Sequence, residues 1–161
     1  NNEIFGLTKG QTSPTSPKGH ESKTQPHGSA KDPIRPLSLA LTSGASYIAR
    51  TAAVNPNQAK EIIKEAIQHD GFSHIDFLTQ CPTWNKDAKQ YVPYTDIQDS
   101  EEHDFDVTDR REAGEAMYEA ESALYEGEVL TGRFYTEENR HSYGQEKRDR
   151  GEMPETPLAE R

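Results

Sequence analysis

The sequence predicts an α/β fold, a parallel sheet flanked by helices, and three observations carry that prediction. Apolar strand candidates at residues 47–50 and 72–79 alternate with an amphipathic helical segment at 55–69. A helix-opening proline, Pro36, precedes the first of these strands, so the order runs helix, strand, helix, strand. A Gly- and Pro-punctuated stretch then lies before the first helix, in the place where open α/β sheets hold ligands beyond their strand ends.

Residues 1–5 read as the end of a strand that yields to a Gly-rich turn. Residues 6–36 hold Gly6, Gly10, Gly19 and Gly28 with Pro14, Pro17, Pro26 and Pro33, which forbids a long helix or a central strand. A loop of about 30 residues inside a compact domain is unusual and tends to be functional. Residues 36–41 form a short helix, with Gly44 at its C-terminal stop. Residues 47–50 are a strand. The helix over 55–69 has Asn55 as N-cap and Pro56 in its first turn, with Ala59, Ile62, Ile63, Ala66 and Ile67 on one face. Asp70-Gly71 ends it, and the strand at 72–79 runs into Cys81-Pro82. Further on, 104–109 is an acidic loop, 109–126 is helix-prone, 128–135 is a strand candidate and 140–161 is a polar, solvated tail.

Composition divides the chain. Of 161 residues, 28 are acidic and 18 basic, for a net charge of −10. Residues 1–91 are near neutral, whereas residues 92–161 carry 20 acids against 8 bases. The boundary falls near Tyr91–Asp99, which gives a domain segment over 1–95 and an acidic, partly helical extension over 96–161 with a partly disordered tail. Leu, Ile, Val and Phe number 25, fewer than the roughly 20% of residues usual in a globular domain. No apolar run approaches the ~18 residues of a membrane span. The acidic balance argues against a grip on nucleic acid phosphates. A single cysteine excludes a disulfide framework and a self-contained metal cluster. The chain opens at full pattern density without Met, which reads as a fragment, and the absence of a targeting signal gives the cytoplasm as the expected compartment.

The first eleven residues, Asn1-Asn2-Glu3-Ile4-Phe5-Gly6-Leu7-Thr8-Lys9-Gly10-Gln11, carry the most chemistry. An Asn amide oxygen and a freed backbone carbonyl are hard donors suited to Mg²⁺. Thr8 and the amides of a Gly-rich turn suit a pyrophosphate. Spacing alone does not separate this from an ordinary strand–loop junction. The run itself resembles a known family. Asn1-Asn2 looks like the asparagine pair that closes the thiamine diphosphate motif, and residues 4–16 resemble the β subunit of 2-oxoacid:ferredoxin oxidoreductases of the 2-oxoglutarate/2-oxoacid type. Leu39-Ala40-Leu41, Tyr47-Ile48-Ala49-Arg50 and Cys81-Pro82-Thr83-Trp84-Asn85 fit the same family in order, over residues 1–95 or so.

The resemblance implies the C-terminal half of a thiamine-diphosphate-binding fold. It implies that the Asn2 side chain and the Ile4 carbonyl hold Mg²⁺, and that Leu7 and Thr8 touch the diphosphate of thiamine diphosphate. Lys9 stands where relatives accepting 2-oxoglutarate carry Lys and pyruvate-preferring relatives carry Gly, which suits pairing with a distal substrate carboxylate. Cys81 would be the fourth ligand of a [4Fe–4S] cluster, with three cysteines from elsewhere; on its own it is equally a small buried hydrophobe. The implied reaction is oxidative decarboxylation of a 2-oxoacid with coenzyme A, giving acyl-CoA, CO₂ and reduced ferredoxin. An α subunit and ferredoxin are the implied partners.

Two alternatives stay open at this level: another thiamine-dependent 2-oxoacid decarboxylase or synthase, and a non-catalytic acidic interaction protein. The six histidines show no metal-like grouping, and His20 and His27 fall in the long loop. The acidic surplus after residue 91 reads as a solvated face adapted to high salt.

Overall fold

The computed structural model describes residues 1–85, 94–97 and 104–153. Much of the compositional boundary at 91–99 and the end of the tail lie outside these residues. Ten elements follow in order: β1 (Ile4–Phe5), β2 (Gln11–Thr12), α1 (Pro36–Thr42), β3 (Tyr47–Ala52), α2 (Pro56–Gln68), β4 (Ser73–Leu78), β5 (Tyr94–Asp96), α3 (Arg110–Glu126), β6 (Val129–Thr136) and α4 (Tyr143–Asp149).

The helices form where their caps stand. Asn55 accepts from Gln58 N at 3.2 Å, and Pro56 occupies the first turn, where its missing N–H costs nothing. Asp109 accepts from Arg111 N and Glu112 N at the start of α3, and Gly127, at φ 94°, ends that helix in the left-handed region. Ser142 caps α4, which buries no residue. The polar tail thus contains a short helix that no apolar periodicity announces.

The main sheet has the strand order β4-β3-β6-β5. β3 pairs parallel with β4, as the alternation of strands and helices predicts. The sheet is mixed beyond that pair: β6 pairs antiparallel with β3, with a register shift between Ile48 and Ala49, and parallel with β5. The acidic C-terminal part therefore supplies two strands of the same sheet.

It also supplies more than half of the principal core. Leu37 and Leu41 of α1, Ile48 of β3, Ala113, Met117 and Ala120 of α3, and Leu130 and Phe134 of β6 form one buried cluster. On the other sheet face, Tyr47, Ala49 and Ile62 pack with Ala66 and Ile75. The change in composition near residue 95 does not coincide with a break in this core. Ile63 and Ile67 are exposed, unlike the rest of the α2 stripe. No helix among the described residues is long and apolar enough to cross a membrane.

Candidate functional site

The site assembles beyond the C-terminal end of β4. Asn1 lies alongside that end: its backbone nitrogen donates to Phe77 O at 2.6 Å, and its carbonyl accepts from Thr79 N at 2.9 Å. This is the bonding pattern of a parallel ladder, with Asn1 facing Leu78. From there the chain turns sharply. Glu3 is buried and sits at φ 62°, a left-handed conformation that costs a non-glycine residue about 1–2 kcal/mol. Its N–H donates to Asn1 Oδ1 at 3.2 Å, and its carbonyl accepts from Ser16 Oγ.

Beyond Glu3, β1 and β2 form a small antiparallel hairpin, Ile4 opposite Thr12 and Phe5 opposite Gln11. Lys9 N donates to Gly6 O at 3.1 Å, and Gly10 N to Phe5 O at 3.0 Å. Lys9 and Gly10 both have positive φ, 77° and 89°. A Cβ on Gly10 would stand 3.2 Å from Trp84 Cβ, so the tip of the hairpin packs directly on the Trp84 segment.

That segment is the second wall. After Thr79 the chain makes a tight turn in which Cys81 bridges Asn85, with Asn85 N donating to Cys81 O at 2.9 Å. The buried Asn85 donates from Nδ2 to Asn2 O at 3.1 Å. Gly6 joins the two walls, since a Cβ there would lie 3.7 Å from Cys81 Sγ and 3.8 Å from Asn2 Nδ2. Asn2, Gly6 and Cys81, separated by up to 79 positions, thus form one surface.

The predicted site residues therefore gather in one region. Asn2 is half-buried, and its Oδ1 accepts from Ile4 N at a long 3.3 Å. Leu7 is 100% exposed at the tip of the hairpin. Thr8 is exposed, with its hydroxyl donating to Gln11 Oε1 at 2.5 Å and to Phe5 O at 3.4 Å. Lys9 is exposed beside it. Cys81 is a free, half-buried thiol. The long loop supports this arrangement through backbone pairs: Gly19 N donates to Ser29 O at 2.7 Å and Ser29 N to His20 O at 3.0 Å. A Cβ on Gly28 would lie 2.7 Å from Gly19 O, so the loop closes on itself there.

Beneath the site lies a buried cluster of charges that the sequence reading did not single out. Arg50 is fully buried, donates from Nε to Asp76 Oδ2 at 3.0 Å and from Nη1 to Ala120 O at 3.2 Å. Its Nη2 has no hydrogen-bond partner among the described residues. Glu121 of α3, also buried, accepts from Leu37 N at 2.7 Å and Ser38 Oγ at 2.6 Å. Burial pushes its carboxyl upward, against the opposing pull of those hydrogen bonds and of Arg50. Burial likewise pushes Tyr125 up to about 12, with Glu3 close by adding to the effect. A signal for the ion pair does exist in the sequence: Arg50 and Asp76 are charged residues within two short apolar strands, and the parallel register places them opposite each other.

His69 serves elsewhere. Ser46 Oγ and His69 Nε2 share a 2.9 Å hydrogen bond, and burial lowers the His69 pKa. Among the described residues no group of three or more His, Cys, Asp or Glu could hold a metal. The donor set that remains, the Asn2 amide oxygen and the Ile4 carbonyl, suits a hard cation but leaves coordination positions to be filled from beyond these residues. One thiol cannot hold an iron–sulfur cluster alone.

The chain is similar to proteins of known kind over part of its length. Residues 1–77 match the family model described as thiamine pyrophosphate enzyme, C-terminal TPP binding domain. The chain is 45% identical over 83 residues to the 2-oxoglutarate synthase subunit KorB of Archaeoglobus fulgidus, covering 52% of this chain and 31% of that protein. It is 46% identical over 85 residues to the 2-oxoacid:ferredoxin oxidoreductase subunit beta of Saccharolobus solfataricus, covering 53% and 28%. The chain thus spans less than a third of the length of these curated relatives. Among solved structures it resembles the 2-oxoglutarate:ferredoxin oxidoreductase from Magnetococcus marinus with 2-oxoglutarate, coenzyme A and succinyl-CoA bound. The TM-score is 0.77 at 32% identity, over 99% of this chain and 54% of that one. The structural likeness includes the acidic C-terminal part, whereas the family model matches residues 1–77. Residues 1–77 are thus similar to the C-terminal TPP binding domain of thiamine pyrophosphate enzymes, and about half of the chain is similar in sequence to β subunits of 2-oxoacid:ferredoxin oxidoreductases.

Proposed function

We propose that this chain is part of the β subunit of a coenzyme-A-acylating 2-oxoacid:ferredoxin oxidoreductase that works on 2-oxoglutarate or a similar 2-oxoacid. The observation that carries the reading is the meeting of Asn2, Gly6 and Cys81 on one surface. In this reading, the Asn2 amide oxygen and the Ile4 carbonyl hold Mg²⁺, and Leu7 and Thr8 contact the diphosphate of thiamine diphosphate. The bound thiamine supplies carbanion chemistry, while these residues bind and orient it. The Glu3 kink sets the direction of both oxygen donors, and the Trp84 wall supports the turn that carries Lys9. The Lys9 ammonium, exposed at that turn, pairs with the distal carboxylate of the substrate. Cys81 is one ligand of a [4Fe–4S] cluster beside the thiamine loop, and the other three cysteines come from outside this chain. An α subunit completes the site, and coenzyme A and ferredoxin take the acyl group and the electrons. The exposed carboxylates of Glu115, Glu119, Glu126 and Glu138 belong to a surface adapted to high salt and a cytoplasmic setting.

The test is thiamine diphosphate binding to the full-length subunit with its partner, measured by calorimetry with and without Mg²⁺. Mg²⁺-dependent binding that Asn2→Ala abolishes supports the reading. Binding that ignores both Mg²⁺ and Asn2 rejects the cofactor assignment.

A further inference from the structure

Three stretches of chain meet on the side chain of Asn1. Its Nδ2 donates to Asp76 Oδ1 at 3.2 Å, and its Oδ1 accepts from Glu3 N at 3.2 Å and from Thr15 Oγ1 at 2.9 Å. Only one orientation of the amide satisfies these partners, because an ionised Asp76 only accepts and the Glu3 N–H only donates. Asp76, 4% exposed, is held in turn by Arg50, which is anchored on the carbonyl of Ala120 in α3. A continuous chain of bonds therefore runs from α3 through Arg50 and Asp76 to Asn1, and it ends on the N–H of Glu3.

Glu3 is the left-handed residue, and it lies between Asn2 and Ile4. Its φ fixes how the Asn2 amide and the Ile4 carbonyl are aimed relative to each other. Left-handed backbone at a non-glycine residue persists only where its surroundings enforce it. Here the N–H is taken by Asn1 and the carbonyl by Ser16.

We propose that Asn1 and Asp76 are positioning residues that enforce the left-handed turn at Glu3 and so preorganise the two oxygen donors of Asn2 and Ile4 for a divalent cation. The role rests on the assignment of Asn2 and Ile4 as cation donors given above. It differs from that assignment in placing the control of the site in a buried Arg50–Asp76 pair that never touches the ion. Outer-shell partners of metal ligands typically change affinity by about 10–100-fold when removed.

The experiment uses the full-length enzyme with its partner subunit and reads Mn²⁺ affinity by electron paramagnetic resonance at saturating thiamine diphosphate. Melting temperature and the KM for the 2-oxoacid at saturating metal are read in parallel. Asn1→Asp sets a carboxylate against that of Asp76 and is expected to raise the Mn²⁺ Kd about 10–100-fold with the substrate KM little changed. Asp76→Asn, which faces one amide nitrogen with another, is expected to weaken Mn²⁺ in the same way. The double variant Asn1→Asp/Asp76→Asn restores a donor facing an acceptor, and most of the lost affinity returns. Wild-type Mn²⁺ affinity in Asn1→Asp and Asp76→Asn, even with lowered melting temperatures, overturns the positioning role and leaves the cation assignment standing. A double variant as weak as the singles also overturns it. Absence of thiamine-diphosphate-dependent Mn²⁺ binding in the wild type overturns the cation assignment itself, and the positioning role with it.

Discussion

Glu121 offers a quantitative test of how the two halves of the chain are joined. α1 has no side-chain cap of its own, because Arg35 stands at its N-cap position without such a bond. The carboxylate of Glu121, reaching across from α3, accepts from Leu37 N and Ser38 Oγ instead. Glu121→Ala leaves the Leu37 N–H buried without a partner, at about 1–3 kcal/mol. It also removes a buried methylene worth about 0.8 kcal/mol. The half-exposed Ser38 hydroxyl can turn to water and adds little. The net loss is about 2–4 kcal/mol, or roughly 5–15 °C in Tm at about 2–4 °C per kcal/mol. Glu121→Gln keeps an acceptor for Leu37 N and carries no charge, so it costs less than about 1 kcal/mol. The pH dependence separates the two effects. Because burial raises the Glu121 pKa in the folded state, its contribution is full below the unfolded carboxylate value near about 4.3. It is lost as pH rises through the raised folded value. Wild type should therefore lose ground to Glu121→Gln as pH rises above about 4.3, read by thermal unfolding of the full-length subunit. An Ala variant with wild-type Tm, or a wild type that gains on the Gln variant with rising pH, refutes the reasoning.

Four further outcomes follow from the same structure. Gly10→Ala forces a Cβ to 3.2 Å from Trp84 at φ 89°, and it is expected to cost about 1–2 kcal/mol and to weaken thiamine diphosphate binding by calorimetry. Lys9→Ala is expected to lower kcat/KM for 2-oxoglutarate about 10–100-fold more than for pyruvate, the worth of one charged hydrogen bond; equal losses remove the carboxylate role. His69 has a pKa lowered by burial, so its contribution is present above the unfolded value of about 6.5 and lost as pH falls. Substituting His69 by Gln should flatten the fall in Tm below about pH 6.5, and an unchanged slope contradicts this. The acidic surface predicts a melting temperature that rises with salt, and a salt-independent value counts against adaptation to high salt.

What was legible in the sequence is what depends on neighbours along the chain. Asn55-Pro56 and Asp70-Gly71 bracket α2, because caps and stops act within a turn, and the helix-prone stretch at 109–126 becomes α3. The insertion of β6 between β3 and β5 was not legible, since strand pairing is decided by packing across more than 70 positions. Periodicity showed that α2 has an apolar face, but not that Ile63 and Ile67 stay exposed. α4 escaped because it buries nothing. At the site, the resemblance of residues 1–11 and 81–85 pointed to loops that do meet in space. Arg50 and Asp76 stand out in the sequence as charges within apolar strands, but only the register places them opposite each other and next to Asn1. The left-handed φ of Glu3 has no glycine to announce it.

Cys81 and the loop of residues 1–11 are proposed to belong to one redox site. Its most direct test is iron content and visible absorbance of the full-length subunit purified with its partner, before and after 2-oxoglutarate and coenzyme A are added. Iron–sulfur absorbance is expected to bleach only with both present and to be lost, with the iron, in Cys81→Ala. An iron-free wild type that still decarboxylates the 2-oxoacid, or a Cys81→Ala variant with full iron and full bleaching, contradicts it.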